Sequence, residues 1–225
     1  MPTGPTPRQL ARSENIDRIK RLALAQLSVA GASELSLRAI ARELNLVSSA
    51  IYRYYASRDE LITALIIDAY DDLADHLEAA GLRSVRKAPR RRWVDICHAV
   101  REWALTQPHR FALIYGSAIP GYQAPPDTIG AAGRVVRAFC MPVVEARPAP
   151  DAVHVGRVLA RQLVSTRGAL ELDVLPEVML LLLGAFARVI GLLTLELNGH
   201  FVGGFEPADA LFDALVAREA DALGA

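Results

Sequence analysis

Apolar residues recur at three- and four-residue spacing along most of this chain, and no stretch shows the sustained two-residue alternation that is typical of half-buried strands. Glycine, proline and short polar runs divide the sequence into blocks of helical length. Of its 225 residues, 52% are hydrophobic and 22% are charged, which is sufficient for a sizeable core. The sequence therefore predicts an all-α fold.

The end signals of these blocks predict where the helices begin and end. Ser36 is a suitable N-cap, Asn45 suits the left-handed conformation that ends a helix, and Ser57 with Glu60 forms a capping-box pattern. The expected helices span residues 16–29, 37–45, 46–55, 58–80, 90–106, 109–117, 127–145, 151–171, 176–197 and 207–222. The first four form a support helix, two short helices joined by a tight turn, and a long connector, which is the order of a helix-turn-helix unit.

The predicted domains follow from this division. Residues 15–62 are expected to form the helix-turn-helix domain, and residues 63–225 a larger helical domain. Residues 1–14 are rich in proline and lack an apolar signal segment, so they are expected to be a flexible arm on a cytoplasmic protein.

Charge is segregated along the chain although its total is balanced, with 25 basic and 25 acidic side chains. Residues 1–60 hold nine basic and six acidic groups, residues 61–80 hold five acidic groups and no basic one, and residues 81–92 hold six basic groups. Any nucleic-acid surface must therefore be local. The run from Arg90 to Arg92 lies beyond the connector, and we interpret it as a solvated helix entrance rather than a second DNA site.

Motifs for catalysis or metal binding do not occur. The five histidines fit no paired-ligand spacing, and no GxSxG motif is present. Cys97 and Cys140 are expected to be small core residues. The sequence thus predicts neither a metal, nor a cofactor, nor an enzymatic activity.

One segment, residues 178–201, is apolar enough to suggest a membrane span. Arg188 interrupts it, and the uninterrupted run is shorter than the roughly 20 residues that a span requires. We expect instead a helix buried on most of its surface, in a core or a subunit interface, and no membrane partner.

The stretch SSAIYRYYASRDEL raises the question of which tyrosines are buried. At about 100° per residue, a core position for Ile51 places Val47, Tyr54 and Tyr55 on the same inner side. The outer side then carries Ser49, Tyr52 and Arg53. The pattern predicts that Tyr54 and Tyr55 hold the unit together and that Tyr52 is displayed.

The run LSLRAIARELNLVSSAIYRYYASRDEL resembles the DNA-binding domain of the TetR family of bacterial transcriptional regulators. The pairs Ile40-Ala41, Ile51-Tyr52, Tyr54-Tyr55 and Ser57-Arg58 all fall in register with the family pattern. This chain has Asn45 where the family commonly has glycine, and Val47 where it usually has a Ser or Thr N-cap. The N-cap hydroxyl is therefore missing or displaced onto Ser48.

Serine hydroxyls, tyrosine and arginine at the start of a reading helix suit phosphate oxygens. Arg38 matches a family position that often reaches a guanine edge, so the resemblance implies bidentate base contact there. Arg12 and Arg42 are further candidates for backbone contacts. The residues predicted to bind double-stranded DNA are Ser36, Arg38, Ser48, Ser49, Ala50, Tyr52, Arg53 and Arg58.

The C-terminal part resembles the ligand-binding and dimerisation domains of this family, through Trp103, Pro108, Phe111, Leu113, Tyr115, Gly116, Pro120, Gly121 and Tyr122. The expected pocket residues are Trp103, His109, Tyr115, Tyr122 and Phe186. The resemblance also implies a homodimer through the last two long helices, with Leu180, Gly184, Ala187, Gly191 and Leu195 at the interface.

These features favour a homodimeric repressor that binds a palindromic operator and is released by a small apolar effector. An adaptor or small-molecule-binding module that no longer reads DNA is the alternative, because Val47 departs from the family pattern. An enzyme built on the helical bundle would need a convergent set of titratable groups that the sequence does not show.

Overall fold

The structure is a computed structural model that describes residues 6–31, 34–146 and 155–224. Within these ranges it contains ten α-helices and no strand, which confirms the all-α prediction. The helices are α1 (Pro7–Ala30), α2 (Leu37–Glu43), α3 (Ser48–Ile51), α4 (Arg58–Ser84), α5 (Pro89–Thr106), α6 (Pro108–Tyr115), α7 (Thr128–Ala146), α8 (Arg157–Ala169), α9 (Pro176–Leu197) and α10 (Asp209–Ala222). Residues 151–154, where α8 was expected to begin, lie outside the described residues.

The first helix begins earlier than the sequence predicted. Residues 7–14, which were assigned to a flexible arm, form the first two turns of α1. Thr6 and Gln9 make a capping box at its start, and Pro7 occupies the first helical position, where its missing N–H has no cost. These capping interactions are local, so the helix forms without a buried apolar face in this segment.

The third helix is shorter than the sequence predicted. It spans only Ser48–Ile51, and the chain continues through Tyr54 as tight turns, with Tyr54 N–H donating to the Ile51 carbonyl. Val47 was expected on the inner side, but it is the N-cap residue and is 72% exposed, because its extended backbone takes its side chain off the helix. No side chain caps this helix start, so the cap hydroxyl is indeed missing.

Two hydrophobic cores are joined by α4. The smaller core contains apolar residues of α1, α2 and α3 packed against the first turns of α4, including Leu61 and Leu65. The larger core contains the second half of α4 together with α5, α7, α9 and α10. The apolar residues that recur at four-residue spacing along α4 are all buried, namely Leu61, Leu65, Ala69, Leu73 and Leu77. Helix α4, the predicted connector, therefore contributes buried residues to both cores.

The acidic stretch of α4 is paired with basic side chains from three other helices. Lys20 on α1 binds Asp68, and Arg110 on α6 binds Asp72 at 2.8 Å. Arg134 on α7 contacts three carboxylates of α4, those of Asp71, Asp75 and Glu78. These groups are largely exposed, so each pair contributes little stability, but together they fix which face of α4 meets α7.

Candidate functional site

Residues 46–55, called the reading segment below, display polar groups on one side and bury apolar groups on the other. Ile51 is fully buried and Tyr55 nearly so, whereas Tyr52 is 43% exposed. Ser48, Ser49 and Arg53 are also exposed. The predicted division between displayed and buried tyrosines is confirmed, and α3 presents hydroxyl groups and a guanidinium to the outside.

The two inner tyrosines attach this segment to the rest of the small core. Tyr54 is half-buried, and its hydroxyl accepts a hydrogen bond of 3.1 Å from Asn15 Nδ2 on α1. Burial, together with the nearby carboxylates of Asp68 and Glu60, raises the pKa of Tyr55 to about 12. Tyr55 is therefore a neutral core group at physiological pH.

The start of α2 lies in the same unit. Ser36 is the N-cap of α2, since its hydroxyl accepts from the Ala39 N–H, and it is half-buried. Arg38 and Arg42 are exposed on the first and last turns of this short helix. Asn45 has a φ of 56°, which confirms the left-handed helix end predicted for it.

Of the eight residues predicted to contact DNA, five are exposed, namely Arg38, Ser48, Ser49, Tyr52 and Arg53. Ser36, Ala50 and Arg58 are half-buried. Arg58 lies at the start of α4, where it pairs with the adjacent Asp59 at 3.3 Å. Contact of any of these side chains with DNA remains a prediction.

The sequence indicated Arg12 as a candidate for backbone contact, but the helical turns that carry it were not predicted. The added turns of α1 expose Arg8 and Arg12, and the Arg12 guanidinium lies over the ring of Tyr54. The capping pattern at Thr6 to Gln9, together with Pro7, was the signal that would have revealed these turns.

A cavity of about 680 Å³ opens between α4, the segment from α6 to α7, α8 and α9. Its walls are mainly apolar, with Ile66, Leu113, Ile119, Val136, Leu170 and Leu183 among them. Hydroxyl groups are supplied by Tyr70, Ser117, Tyr122, Thr128, Ser165 and Thr166. The described lining residues include no charged side chain. This chemistry suits an uncharged, mostly apolar molecule.

Of the five predicted pocket residues, Tyr122 lines this cavity. Trp103 is buried in the larger core and donates from Nε1 to Asp72, while His109 lies in a groove between α1 and α6. Tyr115 and Phe186 contact each other edge to face at 6.1 Å, in a row of aromatic rings behind the cavity wall. Burial raises the pKa of the Tyr115 hydroxyl.

Several cavity groups escaped sequence reasoning. Tyr70 belongs to α4, which the sequence indicates only as a connector, and Ser165 and Thr166 belong to α8, which has no distinctive motif. Residues of α4, α6, α7, α8 and α9 converge here, and one amino-acid sequence gives no signal for such convergence. The stretch that resembles the family contains Leu113, Gly116 and Tyr122, which all line the cavity, but only Tyr122 was predicted for the pocket.

The predicted dimer residues follow one side of α9. Ala187, Gly191 and Leu195 are exposed, and Leu180 and Gly184 are half-buried. A second groove, of about 630 Å³, runs between α9 and α10 and includes Gly191 and Leu195. Helix α9 is apolar and long enough to cross a membrane, but core helices of soluble proteins can have the same length and composition. Only 33% of its most apolar 18-residue window is buried within one chain. Since this chain by itself buries only part of the helix, the expectation that most of it is buried in a core or a subunit interface stays a prediction.

Comparison with known proteins decides the family. Residues 19–65 match the model of bacterial regulatory proteins of the tetR family, and residues 93–218 match the tetracyclin repressor-like C-terminal domain. The chain belongs to the TetR family. The first match contains the reading segment described above, and the second contains most of the cavity and the α9 surface.

The relatives of this TetR family member include proteins described as transcriptional regulators. It is 53% identical over 133 residues to helix-turn-helix-type transcriptional regulators of Mycobacterium bovis and Mycobacterium tuberculosis. That match covers 59% of this chain and 57% of the length of those relatives. The crystal structure of SCO4313, described as a regulatory protein, is 34% identical with a TM-score of 0.77, over 97% of this chain and 98% of that one.

A protein of unknown function from Rhodococcus sp. RHA1 has the same fold, with a TM-score of 0.66 and 24% identity over 92% of each chain.

Within the described residues, no group of three or more His, Cys, Asp or Glu side chains is placed to hold a metal ion.

Proposed function

We propose that this TetR family regulator is a cytoplasmic, homodimeric repressor that binds a palindromic operator and releases it when a small, uncharged, apolar ligand occupies the cavity beside α4. The observation that carries the proposal is the two-sided reading segment, in which Tyr52 is displayed while Ile51 and Tyr55 are buried. A surface built to display serine hydroxyls, a tyrosine and arginines on a rigid support is suited to phosphate oxygens and base edges.

The exposed side of α9 supports the proposed dimer. Exposed Gly191 and Leu195 border a mainly apolar groove with α10, which also contains Arg188, Arg218 and Glu219. The small residues there permit close approach of a second copy. Two-fold symmetry would present two reading segments to two half-sites about one helical turn or more apart, which is why a palindromic operator is expected.

The decisive experiment is selection of purified protein on a pool of random DNA duplexes, followed by sequencing, at two salt concentrations. Enrichment of a palindrome, with affinity that falls steeply as salt rises, would support a dimeric DNA reader and supply the operator. Absence of enrichment under both conditions would contradict the proposal and favour the adaptor function, for which the uncapped start of α3 is the motivating feature.

A further inference from the structure

Two hydroxyl groups join the cavity to the helix that leaves the DNA-binding unit. Tyr122 Oη, in the segment between α6 and α7, lies 2.9 Å from Thr63 Oγ1 in the second turn of α4. Tyr122 lines the cavity and also packs, with Leu113 and Ile119, against the small core that carries the reading segment. The same wall therefore faces the ligand space on one side and the DNA-binding unit on the other.

The direction of this hydrogen bond follows from the other partner of Thr63. The Thr63 hydroxyl also lies 2.9 Å from the backbone carbonyl of Asp59, and a carbonyl only accepts. Since Thr63 has a single hydroxyl proton, it donates that proton to Asp59. Tyr122 must then be the donor to Thr63. When the cavity is empty, the Tyr122 hydroxyl therefore donates its hydrogen bond to Thr63 on α4.

We propose that the ligand of this cavity is an uncharged, mostly apolar molecule with a hydrogen-bond acceptor, such as a carbonyl oxygen, that takes the Tyr122 proton away from Thr63. This inference rests on the proposed function of the cavity as the effector site. When the ligand accepts the proton, α4 loses its hydrogen bond to the cavity wall at the second turn. The first turns of α4 are then free to shift with the reading segment packed on them.

The requirement for an acceptor distinguishes this ligand from other apolar molecules. A ligand that only donates hydrogen bonds can bind a lone pair of Tyr122 Oη and leave the bond to Thr63 intact. An anion or a cation would lose its hydration against walls in which the described lining residues include no opposite charge. A neutral acceptor is the class that both enters the cavity and breaks the bond.

Linkage predicts opposite effects for the two partners of the bond. Thr63→Val removes the competing acceptor, so binding of a ligand carbonyl no longer costs a hydrogen bond, and its affinity should rise roughly fivefold. Tyr122→Phe removes the donor and leaves the ligand carbonyl buried without a partner, so its affinity should fall by roughly the same factor. Thr194→Val, which removes a threonine hydroxyl that likewise donates to the carbonyl four residues earlier, that of Ile190, but lies outside the residues that line the cavity, is the matched control and should bind as the parent protein does.

The experiment measures binding of Nile red, an uncharged apolar dye with a carbonyl acceptor, to these four full-length proteins in the absence of DNA. Methyl decyl ketone, dodecanoate and dodecylamine are then compared as competitors below their micelle-forming concentrations. The expected result is tighter binding to Thr63→Val, weaker binding to Tyr122→Phe and no change in Thr194→Val. The ketone should also displace the dye in preference to both charged competitors.

Changes of the same sign in Thr63→Val and Tyr122→Phe would overturn the inference, because a merely structural bond affects both variants alike. Absence of saturable dye binding to the parent protein, or preference for a charged competitor, would overturn it as well. Since these measurements contain no DNA, they are independent of the operator selection. The proposed DNA-binding function could therefore fail while the ligand result stands, or the reverse.

Discussion

The guanidinium of Arg12 lies 5.9 Å from the centroid of the Tyr54 ring, and Tyr54 is two residues beyond the displayed Tyr52. The first turns of α1 are thereby held beside the reading segment, although every side chain from residue 7 to residue 14 is exposed. These turns contribute nothing to the core, and their basic groups continue the candidate DNA surface.

Replacing Arg12 with alanine is expected to weaken operator binding uniformly across sequences. If Arg12 contacts a phosphate, the slope of log affinity against log salt concentration should fall by about one. The measurement is a salt titration of operator binding. The control is Arg91→Ala, which removes an exposed arginine from α5, distant in the fold. An unchanged slope in the Arg12 variant would assign this extension a role other than DNA contact.

Arg38→Ala is expected to relax sequence specificity at one operator position. A bidentate contact with guanine discriminates against other bases by about 1–3 kcal/mol, so the variant should lose that preference and bind the other bases nearly equally well. Competition binding with operators substituted at each position measures this directly. Arg42→Ala, also an exposed arginine of α2, is the matched control. Equal effects of the two substitutions would indicate general charge rather than base reading.

Much of the fold could be predicted because its signals are local. The two ends of α2 and the start of α4 depend on the caps Ser36, Asn45 and Ser57, which act over a few residues. The length of α3 was overestimated because its continuation as tight turns depends on the packing of Tyr55 and on the next cap, which periodicity does not report. The cavity was largely missed because its walls combine helices that no sequence pattern links.

The basic run at the start of α5 illustrates the same limit. Arg90 binds Asp221 on α10, and Arg92 binds Glu145 on α7, so two of these arginines form ion pairs between helices rather than a solvated entrance. A run of charged residues is evident in a sequence, but the residues with which it forms ion pairs are not. The sequence predicted that all three arginines from Arg90 to Arg92 are solvated, but of these only Arg91 is exposed.

Leu195→Glu is expected to disrupt dimerisation. A second copy packed on the exposed side of α9 would bury the new carboxylate without a partner, at a cost of about 3 kcal/mol, which raises the dimer dissociation constant roughly a hundredfold. Analytical ultracentrifugation measures this constant. Val158→Glu introduces the same charge at an exposed apolar position of α8 and should leave the dimer intact. A monomeric parent protein, or equal loss in both variants, would argue against the α9 interface.

Stability above pH 10 is expected to depend on Tyr55. Its pKa is raised to about 12 in the folded protein, whereas in the unfolded chain it is near 10. The unfolded chain therefore releases the proton first, so the contribution of Tyr55 to stability is present below pH 10 and is lost as the pH rises toward 12. Denaturant titrations of the parent protein and of Tyr55→Phe at several alkaline pH values should show a smaller decline in the variant. Parallel declines would mean that other groups control this range.

The buried arginine of the larger core offers a test of how α5, α9 and α10 are held together. Arg101 is only 9% exposed, binds Glu196 through both carboxylate oxygens at 2.7–3.2 Å, and reaches Asp209 at 3.0 Å. These hydrogen bonds raise the pKa of Arg101, so the guanidinium stays charged. Removing one member of such a pair leaves the other buried and uncompensated, whereas replacing both with apolar groups can be neutral.

Arg101→Met is accordingly expected to lower the free energy of unfolding by about 3 kcal/mol, because Glu196 is then left without its partner in a largely buried position. The double variant Arg101→Met, Glu196→Met should recover most of that loss, since Asp209 is exposed and remains solvated. Chemical denaturation of the parent, both single variants and the double variant gives the coupling between the two residues. If the losses of the two single variants simply add, the bidentate pair does not stabilise the joint between α5 and α9, and the apolar contacts of the larger core hold these helices together on their own.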